Sequence, residues 1–244
     1  MKRHEGVYRK ESVQIPGECI KIMPLGDSIT AGYFTDDGGY RSRLQQRMSK
    51  AGFIFKFVGR KKDQSGDMNN PEHEGYSGFR IRGIAAAADE AVKLFHPDVI
   101  LLFAGMNDVR DRLPDETDNS VPESPDYWGT APERIDALIT RLNDLQPGVI
   151  IIVGTLLRST GQWASAEPRA VAFNQKLPEI VEKQVRQGHK VFIADLCKAF
   201  HPEGFSDGIH PNQLGYEKMA DVWFQSLEVI IHCSKPLGKF CEVQ

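Results

Sequence analysis

The chain has 244 residues, 41% of them hydrophobic and 26% charged, the make-up of a soluble globular protein built as one larger domain. Its formal net charge of −3 gives no electrostatic case for binding nucleic acid or an anionic membrane surface. The longest apolar runs are strand-length, too short to span a bilayer, and the charged stretch MKRHEGVYRKESVQIPGE has no signal-peptide core. The expected location is therefore the cytoplasm, or outside the cell in a form whose leader has been removed.

Residues 1–18 read as a polar arm. Ile20 to Leu25 is an apolar run, expected as a buried strand, and it ends in Gly26-Asp27-Ser28. Gly26 suits a sharp turn, and a helix starting at Ser28 would surround that serine with free N–H groups and a favourable dipole. After the loop Asp36 to Gly39, Tyr40 to Ala51 has helical periodicity, with Leu44 and Met48 on one face and Gly52 placed to end it. Phe53 to Val58 alternates and predicts a second strand. Gly59 to Gly75 is polar and reads as a long surface loop.

Arg80 to Phe95 predicts a helix closed by Pro97. Val99 to Phe103 is continuously apolar, as in the centre of a parallel sheet. Arg110 to Thr130, rich in proline and acidic residues, reads as a loop. Pro132 to Leu145 predicts a helix with proline in its first turn, and Val149 to Val153 another buried strand. Leu156 to Ala166 reads as a loop. Pro168 to Gln187 is a long helix that Pro178 is placed to kink or split. Val191 to Ala194 is the last strand, Asn212 to Ile231 the closing helix with Asn212 as its cap, and Cys233 to Gln244 a loose tail.

Strands thus alternate with helices five times. The pattern predicts one α/β domain over residues 1–244, its core at about 19–232, with a parallel five-stranded sheet between two helical layers. Cys19 and Cys197 flank apolar runs and read as buried thiols, whereas Cys233 and Cys241 are placed to pair if the protein is exported. The histidines and cysteines show no metal-type spacing, so no metal site is expected.

In such sheets reactive groups gather past the carboxyl ends of the strands. Four polar stretches fall there: Gly26-Asp27-Ser28, Gly75-Tyr76-Ser77-Gly78, Gly105-Met106-Asn107-Asp108, and Ser206-Asp207-Gly208-Ile209-His210-Pro211-Asn212. Acyl transfer needs these residue types: a serine, a histidine base, a carboxylate to orient the histidine, and N–H donors for an oxyanion.

GDSIT, the YSG glycine, GMND and DGIHPN resemble the four blocks of the SGNH hydrolases, also called GDSL-type esterases, in that family's order along the chain. IMPLGDSIT, GGYRSRL, FKFVG and HEGYSGFRI are further similar to the acetyl xylan esterases of carbohydrate esterase family three. The resemblance implies a flavodoxin-like three-layer fold and a serine esterase that acts on acetyl esters, of carbohydrates above all, with no metal or cofactor. It casts Ser28 as nucleophile, His210 as general base and Asp207 as the carboxylate that fixes the histidine tautomer. The Ser28 and Gly78 backbone N–H groups and the Asn107 side-chain amide become oxyanion donors. Asp27 and Asp108 read as supports that bond backbone N–H groups. The partner is then a small-molecule or carbohydrate ester, with no nucleic acid or membrane; the oligomeric state is left open.

Each residue also has a plainer reading. Ser28 is a common helix cap, His210 a surface histidine, Asp207 a turn aspartate before glycine, and Gly78 a loop glycine. His73 and Glu74 either line the cleft or sit in solvent. Trp128 and Trp163 either stack on a sugar or pack their loops, and the acidic run Asp111 to Glu123 is either a lid or a solvated loop. Tyr40 and Arg41 are expected to support the helix start. The alternatives in function are a general short-chain aryl or acyl esterase, a lipase-like enzyme, a thioesterase, and a carbohydrate-binding module without turnover.

Overall fold

The structure is a computed structural model and describes residues 19–110 and 127–232. The polar arm, the acidic run with its lid reading, and the pairing of Cys233 with Cys241 lie outside the described residues. In chain order the elements are β1 Ile20–Asp27, α1 Ser28–Ala31, α2 Tyr40–Lys50, β2 Phe55–Phe57, β3 Glu74–Tyr76, α3 Ile81–Phe95 and β4 Val99–Phe103. Then come α4 Met106–Val109, α5 Ala131–Leu145, β5 Ile150–Gly154, α6 Glu167–Arg186, β6 Lys190–Ala194, α7 Leu196–Ala199 and α8 Gln213–His232. Short 3-10 turns occupy Tyr127–Thr130, Gly161–Ala166 and Pro202–Gly204.

The sheet is parallel, with order β2-β1-β4-β5-β6, and β3 pairs with β1 beside that path. β2 pairs with Ile20 to Ile22 and β3 with Leu25 to Asp27, so two short strands share one edge position. Six strands therefore fill the five positions expected of a flavodoxin-like sheet. β3 corrects the loop reading of Gly59 to Gly75. Its three residues carry no apolar alternation, and only pairing with the end of β1 makes them a strand.

Pro24 lies in the middle of β1, where a proline normally argues against a strand. Ile20 N–H donates to Ile54 O and Ile22 O accepts from Val58 N–H, so even-numbered residues direct their backbone toward the β2 side. Pro24 follows in that series and faces the gap between β2 and β3, where a donor has no ladder to join.

β4 and β5 are buried along their whole length, as continuous apolar runs require. α2 packs on α8, while α3 packs on α5 and α5 on α6, which gives a helical layer to each face of the sheet. Asn212 caps α8 as expected: its Oδ1 accepts from Gly215 N–H at 3.1 Å. α6 runs through Pro178 as one helix, so of the two outcomes expected of that proline, a kink or a split, the split does not occur. Cys19 is exposed rather than buried, because it precedes the strand instead of joining it. Cys197 is half-buried, and its thiol is pushed up, by burial first.

Candidate active site

β1 delivers the serine. Gly26 is not a turn residue but part of the strand, and its role is close approach. A Cβ there would sit 2.1 Å from the Phe103 carbonyl oxygen and 2.4 Å from Thr30 Oγ1. The chain then turns at once into α1. Asp27 caps this turn, its Oδ1 accepting from Ile29 N–H at 2.9 Å, which leaves the Ser28 hydroxyl free of the capping task.

That hydroxyl lies 2.9 Å from His210 Nε2, and His210 Nδ1 lies 2.8 Å from Asp207 Oδ2. The other Asp207 oxygen accepts the backbone N–H groups of Ile209 at 3.1 Å and His210 at 2.8 Å. Burial pushes the Asp207 carboxyl up, but the bonds from the His210 backbone, the His210 ring and Ile209 N–H outweigh it and hold the pKa below the usual value. An ionised carboxylate only accepts, so Nδ1 carries a proton and Nε2 presents its lone pair to Ser28 Oγ–H. The chain Ser28–His210–Asp207 can thus pass a proton from hydroxyl to imidazole.

The loop that carries His210 is closed on itself. Ser206 N–H donates to His210 O at 2.8 Å, Asn212 N–H to Gly204 O at 2.8 Å, and Phe205 bridges Pro211. Thr160 N–H donates to Gly208 O at 2.8 Å and ties the loop to the segment after β5.

Asn107 sits in α4, past the end of β4, and is buried. Its Nδ2 donates to Phe79 O at 2.9 Å and its Oδ1 accepts from Arg110 Nε at 2.9 Å. These bonds fix which way the amide points and leave one Nδ2–H to donate elsewhere. Gly78 follows β3, whose Tyr76 pairs with Asp27 in the register, so it lies at the same sheet end as Ser28. Its φ of +79° explains the glycine by backbone conformation; a Cβ there would meet nothing within 4 Å.

Asp27 and Asp108 support the site as expected. Asp108 Oδ2 accepts from Ile81 N–H at 3.0 Å and Oδ1 from Arg134 at 2.8 Å. Burial raises its pKa against those two partners. Burial, with the Asp108 charge adding to it, pushes Asp27 up to about 7 against the Ile29 bond and the Arg110 charge. Asp27 Oδ2 has no hydrogen-bond partner among the described residues.

His73 and Glu74 are fully buried, which corrects both readings of them. His73 Nδ1 accepts from Gly75 N–H at 3.0 Å, and burial together with the Arg41 charge lowers its pKa to about 3. Glu74 binds Arg60 and Tyr76. Tyr40 and Arg41 are buried too; Arg41 donates to Ala31 O at 2.9 Å and to Pro71 O at 2.7 Å, tying α1 to the long loop. Trp163 packs, buried, under the Arg110 guanidinium at 5.3 Å. Trp128 lies 5.8 Å from the Arg169 guanidinium in a groove between α5 and α6. The aromatic pair Tyr33 and Phe34 beside His210 was not legible in the sequence, where no pattern marks it. Among the described residues no cluster of histidine, cysteine, aspartate or glutamate could hold a metal ion, and no helix is long and apolar enough to cross a membrane.

A parallel α/β sheet with serine, histidine and aspartate in one hydrogen-bonded chain is an arrangement that several classes of serine hydrolase share. The chain belongs to the GDSL-like lipase/acylhydrolase family, whose model matches residues 25–218. It is 28% identical over 242 residues to a multidomain esterase of Ruminococcus flavefaciens, a match that takes in 88% of this chain but only 29% of that protein. Among solved structures it is similar to a family 3 carbohydrate esterase of Clostridium thermocellum, at 26% identity and a TM-score of 0.71, over 89% of this chain and 100% of that one. A family 3 carbohydrate esterase of Talaromyces cellulolyticus gives 25% identity and a TM-score of 0.70, over 87% of this chain and 98% of that one.

Proposed function

We propose that residues 1–244 form a single catalytic domain that hydrolyses short O-acyl esters, acetyl esters of carbohydrates in particular, through an acyl-enzyme. The observation that carries this reading is the Ser28–His210–Asp207 chain, with contacts of 2.9 and 2.8 Å. Membership of an acylhydrolase family and similarity to two family 3 carbohydrate esterases support it.

Ser28 Oγ attacks the ester carbonyl carbon while its proton passes to His210 Nε2. The carbonyl oxygen becomes an oxyanion that accepts from the Ser28 and Gly78 backbone N–H groups and from the remaining Asn107 Nδ2–H. Asp207 holds the imidazole in the correct tautomer and stabilises the imidazolium. The carbon–oxygen bond to the alcohol breaks, and His210 returns its proton to the leaving oxygen. Water then enters, gives a proton to His210 and attacks the acyl-Ser28 carbon. Acetate leaves and Ser28 regains its proton.

The test is hydrolysis of p-nitrophenyl esters from acetyl to long acyl chains by the wild type and Ser28→Ala. Turnover concentrated on acetyl and lost in Ser28→Ala is the expected result. Turnover that persists in Ser28→Ala overturns the mechanism, and a rate that climbs with chain length overturns the acetyl preference.

A further inference from the structure

Two aromatic rings lie against the base. The ring centroids of Tyr33 and Phe34 are 5.0 and 5.4 Å from that of His210, and 4.8 Å from each other. Both remain open to solvent, at 41% and 54% exposure. The backbone of Tyr33 is anchored nonetheless: its N–H donates to Ser28 O at 3.0 Å, and its carbonyl oxygen accepts from the Tyr216 hydroxyl at 2.8 Å. An exposed aromatic pair fixed beside a reactive group offers an apolar face to a ligand.

The pair opens onto a shallow groove of about 520 Å³, bordered also by Thr35, Asp36, Gln64 and Ser65. Phe34 has a φ of +65° and Gln64 a φ of +52°. Among the described residues only His96 joins them as a non-glycine residue in the left-handed region. A bulky side chain held there costs free energy that the surroundings must offset, and such strain gathers at ligand sites. Two strained residues border this one groove.

We propose that Tyr33 and Phe34, with Asp36 and Gln64, form the leaving-alcohol subsite, and that it takes the pyranose ring of a carbohydrate. The proposal rests on the ester-hydrolase reading. His210 gives its proton to the leaving oxygen, so the leaving alcohol lies beside the imidazole, away from the oxyanion donors on Gly78 and Asn107. A pyranose presents a C–H face that stacks on an aromatic ring and hydroxyls that need polar partners. The Asp36 carboxylate accepts hydrogen bonds and the Gln64 amide both donates and accepts them.

The test compares two acetates that differ only in the alcohol, methyl β-xylopyranoside monoacetate and ethyl acetate, with acid release followed by titration. Phe34→Gly removes the ring and suits the left-handed backbone, so the turn is kept. It is expected to lower kcat/KM on the sugar acetate about five- to tenfold, chiefly through KM, and to lower it several-fold less on ethyl acetate. Phe34→Tyr restores the preference. Equal losses on both esters, or no loss on the sugar acetate, overturn the subsite while Ser28-dependent turnover of ethyl acetate leaves the hydrolase reading standing. A wild type that hydrolyses neither ester overturns the hydrolase reading, and the subsite falls with it.

Discussion

Ser28 and His210 touch each other but are held by different physics. Ser28 directly follows a strand buried from Ile22 onward, and the backbone around it is crowded: a Cβ on Gly26 would overlap the Phe103 carbonyl, and one on Gly75 would sit 2.4 Å from Ala31 N. His210 hangs on a partly exposed loop between the 3-10 turn Pro202–Gly204 and α8, and hydrogen bonds fix it: Asp207 to its ring and backbone, Ser206 to its carbonyl, and, from a distant segment, Thr160 to Gly208. Ser28 is positioned by the core, and His210 by a loop bonded chiefly within itself and tied to the segment after β5 at Thr160. Damage near Ser28 should therefore unfold the protein, and damage near His210 should disable it while it stays folded.

The largest effect separates chemistry from fold on the core side. Ser28→Ala is expected to lower kcat by roughly 10⁴-fold or more with thermal stability preserved, because it removes one small oxygen and no packing. A matching drop in Tm would mean that the serine is structural. Gly26→Ala should do the reverse. Its methyl group meets backbone rather than a movable side chain, so denaturant unfolding is expected to show a loss of about 3 kcal/mol or more. A loss below about 1 kcal/mol would show that the β1–β4 contact can relax.

On the loop side, Asp207→Asn is expected to cost roughly 10²-fold in kcat with little change in KM or in unfolding midpoint. If it unfolded the protein instead, the loop would be coupled to the core and the contrast would fail. Asp207 also ties activity to pH: its lowered pKa keeps it ionised at neutrality, and that contribution is lost as pH falls through the acid range.

Asp27 sharpens the contrast through stability. Its folded pKa of about 7 lies above the ordinary 3.8, so the native state binds the proton more tightly than the unfolded chain. Wild-type stability should decline as pH rises from about 4 toward 7 and level off above, by a total on the order of 4 kcal/mol from this group. Asp27→Asn should flatten that decline. Tm measured against pH for both proteins checks it, and parallel curves would refute it. The smallest effect is expected at Trp128, in the α5–α6 groove among charged residues such as Asp136 and Lys183 that pair with each other. Trp128→Ala should change kcat/KM on the sugar acetate by about twofold or less, and a larger loss would extend the sugar site to that groove.

The sequence by itself determined the order of elements and the chemical identity of the site. Continuous apolar runs at Val99 to Phe103 and Val149 to Val153 can only be buried strands here, and strand–helix alternation forces a parallel sheet. Serine, asparagine and the Asp–x–x–His pair past strand ends were legible because the sheet sends every strand end to one edge. Tertiary structure decided what depends on partners distant in sequence. β3 exists because β1 needs an edge partner beyond the gap at Pro24. Gly26 is glycine because of Phe103, and His73 is buried and neutral because Arg41 and the long loop enclose it. The exposed pair Tyr33 and Phe34 lies beside His210 only because α8 and the His210 loop fold against it. Periodicity records which residues a chain must bury, whereas close approach, enclosure and juxtaposition arise from contacts between segments and leave no local pattern.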